Sequence, residues 1–99
     1  MSDWHLYLVR TRDGDLYTGI ATDVTRRLAE HTAGGVRGSK FLRSRGPLEL
    51  AYQVRLGDRS IALRAEHRLK KLSRLEKQAI VDDSPAGGDL LALLAIAQD

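Results

Sequence analysis

Cysteine is absent from the 99-residue chain, which excludes disulfide staples and thiolate metal sites. Also missing is a basic-then-apolar signal segment at the N-terminus, and no apolar run approaches the roughly 18 residues that a membrane span needs. A cytoplasmic protein with no membrane partner is the expectation. Neither an internal repeat nor a low-complexity tract is present. No zinc-finger spacing, helix-turn-helix pattern or second domain offers a separate reader of sequence or DNA structure. A chain of this length folds as one domain, buries about two-thirds of its extended surface and has room for one site.

What is there begins with Trp4 to His31, WHLYLVRTRDGDLYTGIATDVTRRLAEH. Two apolar runs with β-branched and aromatic residues, Trp4 to Arg10 and Leu16 to Ile20, flank Arg12-Asp13-Gly14 and read as a β-hairpin. Its parity decides whether Tyr7 and Tyr17 share a face. A two-residue Asp-Gly turn pairing Arg12 with Asp15 separates them. The loop Arg12-Asp13-Gly14, with Gly14 left-handed, instead sets Tyr7 opposite Gly19 and diagonal to Tyr17, and this is the favoured register. On this register Gly19 is expected to leave open space beside both hydroxyls for a substrate. On composition alone, two tyrosines and a glycine in a small β-protein are more often packing than chemistry.

Asp23 is a good N-cap, and the helix it opens ends near Gly34-Gly35. Val24 and Leu28 mark its buried stripe, Arg27 and His31 share its edge one turn apart, and Arg26 and Glu30 are expected to point into water. An Arg steered toward the sheet suits an anion there, although an Arg lying along the core rim with a solvated head is as common.

Farther on, Ala33 to Ser39 reads as a glycine-rich loop, Lys40-Phe41-Leu42-Arg43 as a short helical turn, and Pro47 closes the connection. Leu48 to Leu56 alternates with period two, so Leu48, Leu50, Tyr52, Val54 and Leu56 are expected on one buried face, with Tyr52 as core. Asp58 or Ser60 caps a helix to about Leu72 with Ile61, Ala65, Leu69 and Leu72 inward. Glu66 falls at the margin of that arc, where it either reaches a metal over the sheet or pairs with Lys70 at i+4. His67 is expected in solvent. Ser73-Arg74-Leu75-Glu76 has the form of a capping box, opening a helix with Leu75, Ala79 and Ile80 inward. Residues 1–82 are thus expected to form the domain, and 83–99 a Pro-Ala-Gly-Gly linker and a Leu/Ala-rich tail that either docks as a helix or leaves a sticky surface favouring self-association.

The ordered set His5-Leu6-Tyr7, Tyr17-Thr18-Gly19, Arg27, His31 and Glu66 resembles the GIY-YIG nuclease domain, and within it the small single-domain bacterial proteins of the UPF0213-like (YhbQ) type, over residues 4 to 81. His5 stands where the first motif has glycine, Thr18 where the second has an aliphatic residue, and Ile20 where some members have lysine. The resemblance implies an α/β (α+β) sandwich with a three-stranded, mainly antiparallel sheet flanked by helices. It also implies metal-dependent hydrolysis of phosphodiester bonds in DNA, structured or damaged, or in RNA. In that scheme Glu66 binds one divalent cation, Mg²⁺ or Mn²⁺, Arg27 clamps the scissile phosphate, and Tyr7 or Tyr17 helps deprotonate water. His31 is the auxiliary, and His5 a weaker candidate. Two other classes compete: a catalytically silent nucleic-acid-binding module and a protein-interaction domain using the tail. A monomer or weak homodimer is expected.

The formal net charge is only +3, yet Arg26, Arg27, Arg37, Lys40, Arg43 and Arg45 face the single acid Glu30 between positions 26 and 45. Such a patch suits a polyanion, with Gly19, Arg37, Lys40, Arg43 and Arg45 as the expected substrate contacts, against the commoner case of a solvated basic surface. If it carries backbone contacts, DNA affinity measured by fluorescence anisotropy falls with salt at a log-log slope of about −0.9 per phosphate contacted. A flat response removes nucleic acid as partner.

Overall fold

The structure, a computed structural model, describes residues 3–33 and 47–97. Strands β1 (Trp4–Arg10) and β2 (Leu16–Ala21) form the hairpin. Its turn is closed by the Thr11 N–H donating to the Asp15 carbonyl at 2.9 Å and the Gly14 N–H donating to the Thr11 carbonyl at 3.0 Å, with Gly14 at φ 89°. That conformation is open to glycine and strained for other residues. The loop is therefore Arg12-Asp13-Gly14, and the register pairs Tyr7 with Gly19 and Val9 with Tyr17. Both tyrosines lie on one face, as parity requires.

Helix α1 (Val24–Ala33) starts where Asp23 Oδ1 accepts the Arg26 N–H at 3.0 Å. Strand β3 (Glu49–Gly57) runs antiparallel to β1 on its other side, giving the order β2-β1-β3. Helix α2 (Arg59–Lys70) is capped by Asp58, whose carboxylate accepts the Ser60 and Ile61 N–H groups. Helix α3 (Arg74–Asp83) carries the full capping box between Ser73 and Glu76, and helix α4 (Gly87–Leu93) follows. The fold is an α+β sandwich, and no helix among the described residues is long and apolar enough to cross a membrane.

The sheet is sandwiched. One face packs Leu6, Leu8 and Tyr52 against Ala65 and Leu69 of α2, Ile80 of α3, and Leu90, Leu91, Leu94 and Ile96. Tyr7, Val9 and Ala21 on the other face meet Val24 and Leu28 of α1. The expectation that β3 buries one continuous face is corrected by a register shift. Leu8 pairs with Tyr52 but Val9 with Leu50, leaving Ala51 as an extra residue that reverses the alternation. Leu48 and Leu50 consequently join the α1 side, while Tyr52, Val54 and Leu56 stay on the α2 side.

Two further expectations change on the helical side. Leu75 is 81% exposed and Ala79 also faces out, because the inward stripe of α3 runs through Ile80 and Val81, and Leu75 lies well round the helix from it. The Pro-Ala-Gly-Gly linker expected after residue 82 shortens to residues 84–86, since α3 reaches Asp83 and α4 begins at Gly87. Tyr52 secures that connection by donating its hydroxyl to the Pro85 carbonyl at 2.6 Å, and burial pushes its phenol up to about 12, so the donor proton is retained. The tail docks rather than dangling. The expected 33–39 loop beyond Ala33, the Lys40–Arg43 turn, and with them Arg37, Lys40, Arg43 and Arg45 lie outside the described residues.

Because Leu90 is fully buried and Leu75 is not, Leu90→Ala is expected to cost about 2–5 kcal/mol in urea unfolding, and Leu75→Ala no more than about 0.5 kcal/mol.

Candidate active site

The central side chain on the α1 face is Tyr7, 2% exposed. Across the hairpin a Cβ at position 19 would fall inside the Tyr7 ring and hydroxyl. The open space expected beside Gly19 is thus filled by Tyr7 itself: glycine is needed there so that the phenol can lie over the neighbouring strand. The Tyr7 hydroxyl reaches His31 Nε2 at 3.2 Å, a buried hydrogen bond joining the sheet to the last turn of α1. Tyr17, on the same face as Tyr7, meets the His31 ring edge-on at a centroid distance of 5.9 Å.

Arg27 lies one turn before His31, with its side chain one-third exposed, and its Nη1 donates to Glu30 Oε1 at 3.1 Å. Glu30 also approaches Arg26 at 3.8 Å, so this carboxylate, expected in water, is a partly buried partner of both arginines. The i+3 spacing of Arg27 and Glu30 was the signal for that pairing. Arg26 itself does point outward.

Charge ties these groups together. Burial first, then the neighbouring Tyr17 and Glu66, push the Tyr7 phenol up to about 12, while the charge and hydrogen bonding of Arg27 pull it down. Tyr17, Arg27 and Glu66 therefore all lie within electrostatic reach of Tyr7. His31 is shifted the other way: burial and then the Arg27 guanidinium lower its pKa, only partly opposed by Glu30. At neutral pH the pair is a protonated phenol against a neutral imidazole.

Glu66 sits on α2 with its side chain 19% exposed and pairs with Lys70 Nζ, its i+4 neighbour, at 3.6 Å, while its charge is felt at Tyr7. Among the described residues no cluster of three or more His, Asp or Glu side chains is arranged to hold a metal. A single partly exposed carboxylate nevertheless fits Mg²⁺ or Mn²⁺, hard cations that commonly take one or two carboxylates and fill their shell with water and substrate phosphate. His67 is exposed, as expected. His5 is half-buried on the Tyr7 face, and its Nδ1, like the Thr18 hydroxyl, is buried with no hydrogen-bond partner among the described residues. A cleft of about 370 Å³ opens beside Arg27 and is bounded by Trp4, a residue to which the sequence reading gave no role.

The model of the GIY-YIG catalytic domain matches residues 3–79. A UPF0213 protein of Yersinia pestis (strain Pestoides F) is 55% identical over 87 residues, covering 86% of this chain and 90% of that protein. One from Yersinia pseudotuberculosis serotype O:3 (strain YPIII) shows the same identity and coverage. Among solved structures, the solution NMR structure of a UPF0213 protein from Bacillus halodurans aligns with a TM-score of 0.54 and 32% identity, covering 96% of this chain and 99% of that one.

The buried His31 makes stability pH-dependent with a definite sign. Its folded pKa lies below the ordinary histidine value of 6.5, so below that pH the unfolded chain takes up a proton that the folded chain does not. Unfolding free energy, fully retained above 6.5, is expected to fall with pH until the folded value is passed. Denaturant melts across this window should show the slope in wild type and lose it in His31→Gln.

Proposed function

Because the chain belongs to the GIY-YIG catalytic domain family, we propose that it is a metal-dependent endonuclease that hydrolyses phosphodiester bonds in nucleic acid, DNA first and RNA second. A cytoplasmic site of action is part of this reading. The observation that carries it is the buried Tyr7–His31 hydrogen bond flanked by Arg27 and Glu66. A merely structural tyrosine needs one partner for its hydroxyl; this one also sits within the influence of a guanidinium and a carboxylate from two different helices.

Hydrolysis requires water to attack phosphorus, the P–O bond to the leaving oxygen to break, and the water proton to go elsewhere. A phenol with a pKa of about 12 is a poor base by itself. His31, held neutral, is the acceptor that takes the Tyr7 proton through their hydrogen bond as Tyr7 takes one from water. Arg27 supports this in two ways: it favours the phenolate, and its guanidinium offers paired donors to a phosphate whose charge grows in the transition state. Glu30 holds that guanidinium in place until phosphate competes for it. Glu66 would hold Mg²⁺ or Mn²⁺, which when bound supplies charge to a non-bridging oxygen and to the leaving oxygen. Tyr17, edge-on to His31, keeps the imidazole plane fixed.

Cleavage assays over branched, single-stranded, damaged and duplex substrates test this. Glu66→Gln should abolish metal-dependent cleavage with affinity at or slightly above wild type, since a negative charge facing phosphate is gone. Arg27→Ala should lower kcat about a hundredfold or more while changing binding less. Tyr7→Phe keeps the ring that fills the space over Gly19, and full activity in that variant would overturn the role given to its hydroxyl.

A further inference from the structure

Trp4 is the only tryptophan in the chain, opens β1 and is half-buried. The register shifts between Trp4 and His5, where β1 leaves its regular pairing with β3, and such an irregularity re-aims the side chain beside it. The indole forms one wall of the 370 Å³ cleft, whose other walls include Ile20, Thr22, Arg26 and Arg27. Both acids on this wall are engaged, Asp23 with the Arg26 N–H and Glu30 with both guanidinium groups. On the ring itself lies a third cation: the Arg59 guanidinium carbon is 5.4 Å from the ring centroid. An aromatic face held by a cation, next to two more arginines, is the combination on which a base stacks while its phosphates meet positive charge.

We infer that this cleft takes one unpaired nucleobase, stacked on Trp4, from the nucleotide adjoining the phosphate at Arg27. The inference rests on the proposed role of Arg27 as phosphate clamp, because Arg27 is the residue that the cleft and the Tyr7–His31 site share. Size argues for a single base. The cleft lies near the lower end of the roughly 300–1,000 Å³ of small-ligand sites, too small for a base pair with its backbones. A base still paired inside a duplex has its faces covered by its neighbours, so the cleft favours single strands, loops and frayed or branched ends over continuous duplex. Thymidine and uridine strands share this chemistry.

The lone tryptophan makes the test direct. Emission of the Glu66→Gln protein is followed while a short oligothymidylate is added, then an oligomer of the same length and charge made of abasic sites, then a closed hairpin duplex. Saturable quenching by oligothymidylate, absent or several-fold weaker with the other two at equal occupancy by anisotropy, is the expected result. Equal quenching by the abasic oligomer, or binding with no change in emission, overturns the inference. Trp4→Leu should weaken oligothymidylate binding roughly tenfold and leave abasic-oligomer binding near wild type; an equal loss for both overturns it as well. These readings need no catalysis. Wild-type cleavage without base-dependent quenching would remove the stacking subsite and leave the nuclease reading intact, whereas base-dependent quenching in a chain that cleaves nothing would keep the subsite and remove the nuclease.

Discussion

The close approach of Tyr7 to the backbone at Gly19 is the constraint on which the site depends. It needs the strand pairing that a left-handed Gly14 sets, because a slip of one residue between β1 and β2 would put the two tyrosines on opposite faces of the sheet. Once the phenol lies across β2, its hydroxyl is carried to the last turn of α1, where His31 waits 3.2 Å away. That contact in turn requires α1 to begin at Asp23, since the cap fixes the phase in which Val24, Leu28 and His31 all turn inward and Arg27 stands at the rim.

Burial and catalysis pull against each other here. Sequestering Tyr7 and His31 drives one pKa up and the other down, so both groups are neutral at rest. A neutral pair is inexpensive to bury. In the proposed reaction it passes a proton only when positive charge favours the phenolate; Arg27, which supplies such charge, and Glu66, whose own carboxylate opposes it and would need a bound cation to offset it, both lie nearer the surface than the pair they act on. The interior stores the acid-base chemistry, and the rim meets the solvent.

Much of this was legible in the sequence because it rests on short-range rules. Turn chemistry at Gly14, the Asp23 and Asp58 caps and the Ser73–Glu76 box each depend on residues a few positions apart, and each forms as read. The register that puts Tyr7 opposite Gly19 followed from the three-residue loop Arg12-Asp13-Gly14, favoured over the two-residue turn that would separate the tyrosines. What escaped depends on partners distant in sequence. No pattern within 48–56 discloses that Ala51 is an extra residue against β1 and sends Leu48 and Leu50 to the other layer. Leu75 looked inward by composition, but the orientation of α3 is set by what Ile80 packs against. Gly19 reads as a vacancy because the sequence does not say which side chain occupies the space above it. Glu30 departs from the helix wheel for a simpler reason, since its side chain follows the two arginines.

Arg68 donates from Nη1 to the carbonyls of Leu94 and Ala95, at 2.6 and 2.7 Å, at the end of α4, and it lies two residues beyond Glu66 on the same helix. Leu69, next to it, is packed under the buried leucines of the tail. The C-terminal segment and the carboxylate of the candidate site are thus bolted to one rigid rod. Amide protons of α2 and α4 should exchange as a single foldon, and a ligand that holds Glu66 would slow the opening of the tail although it touches none of it.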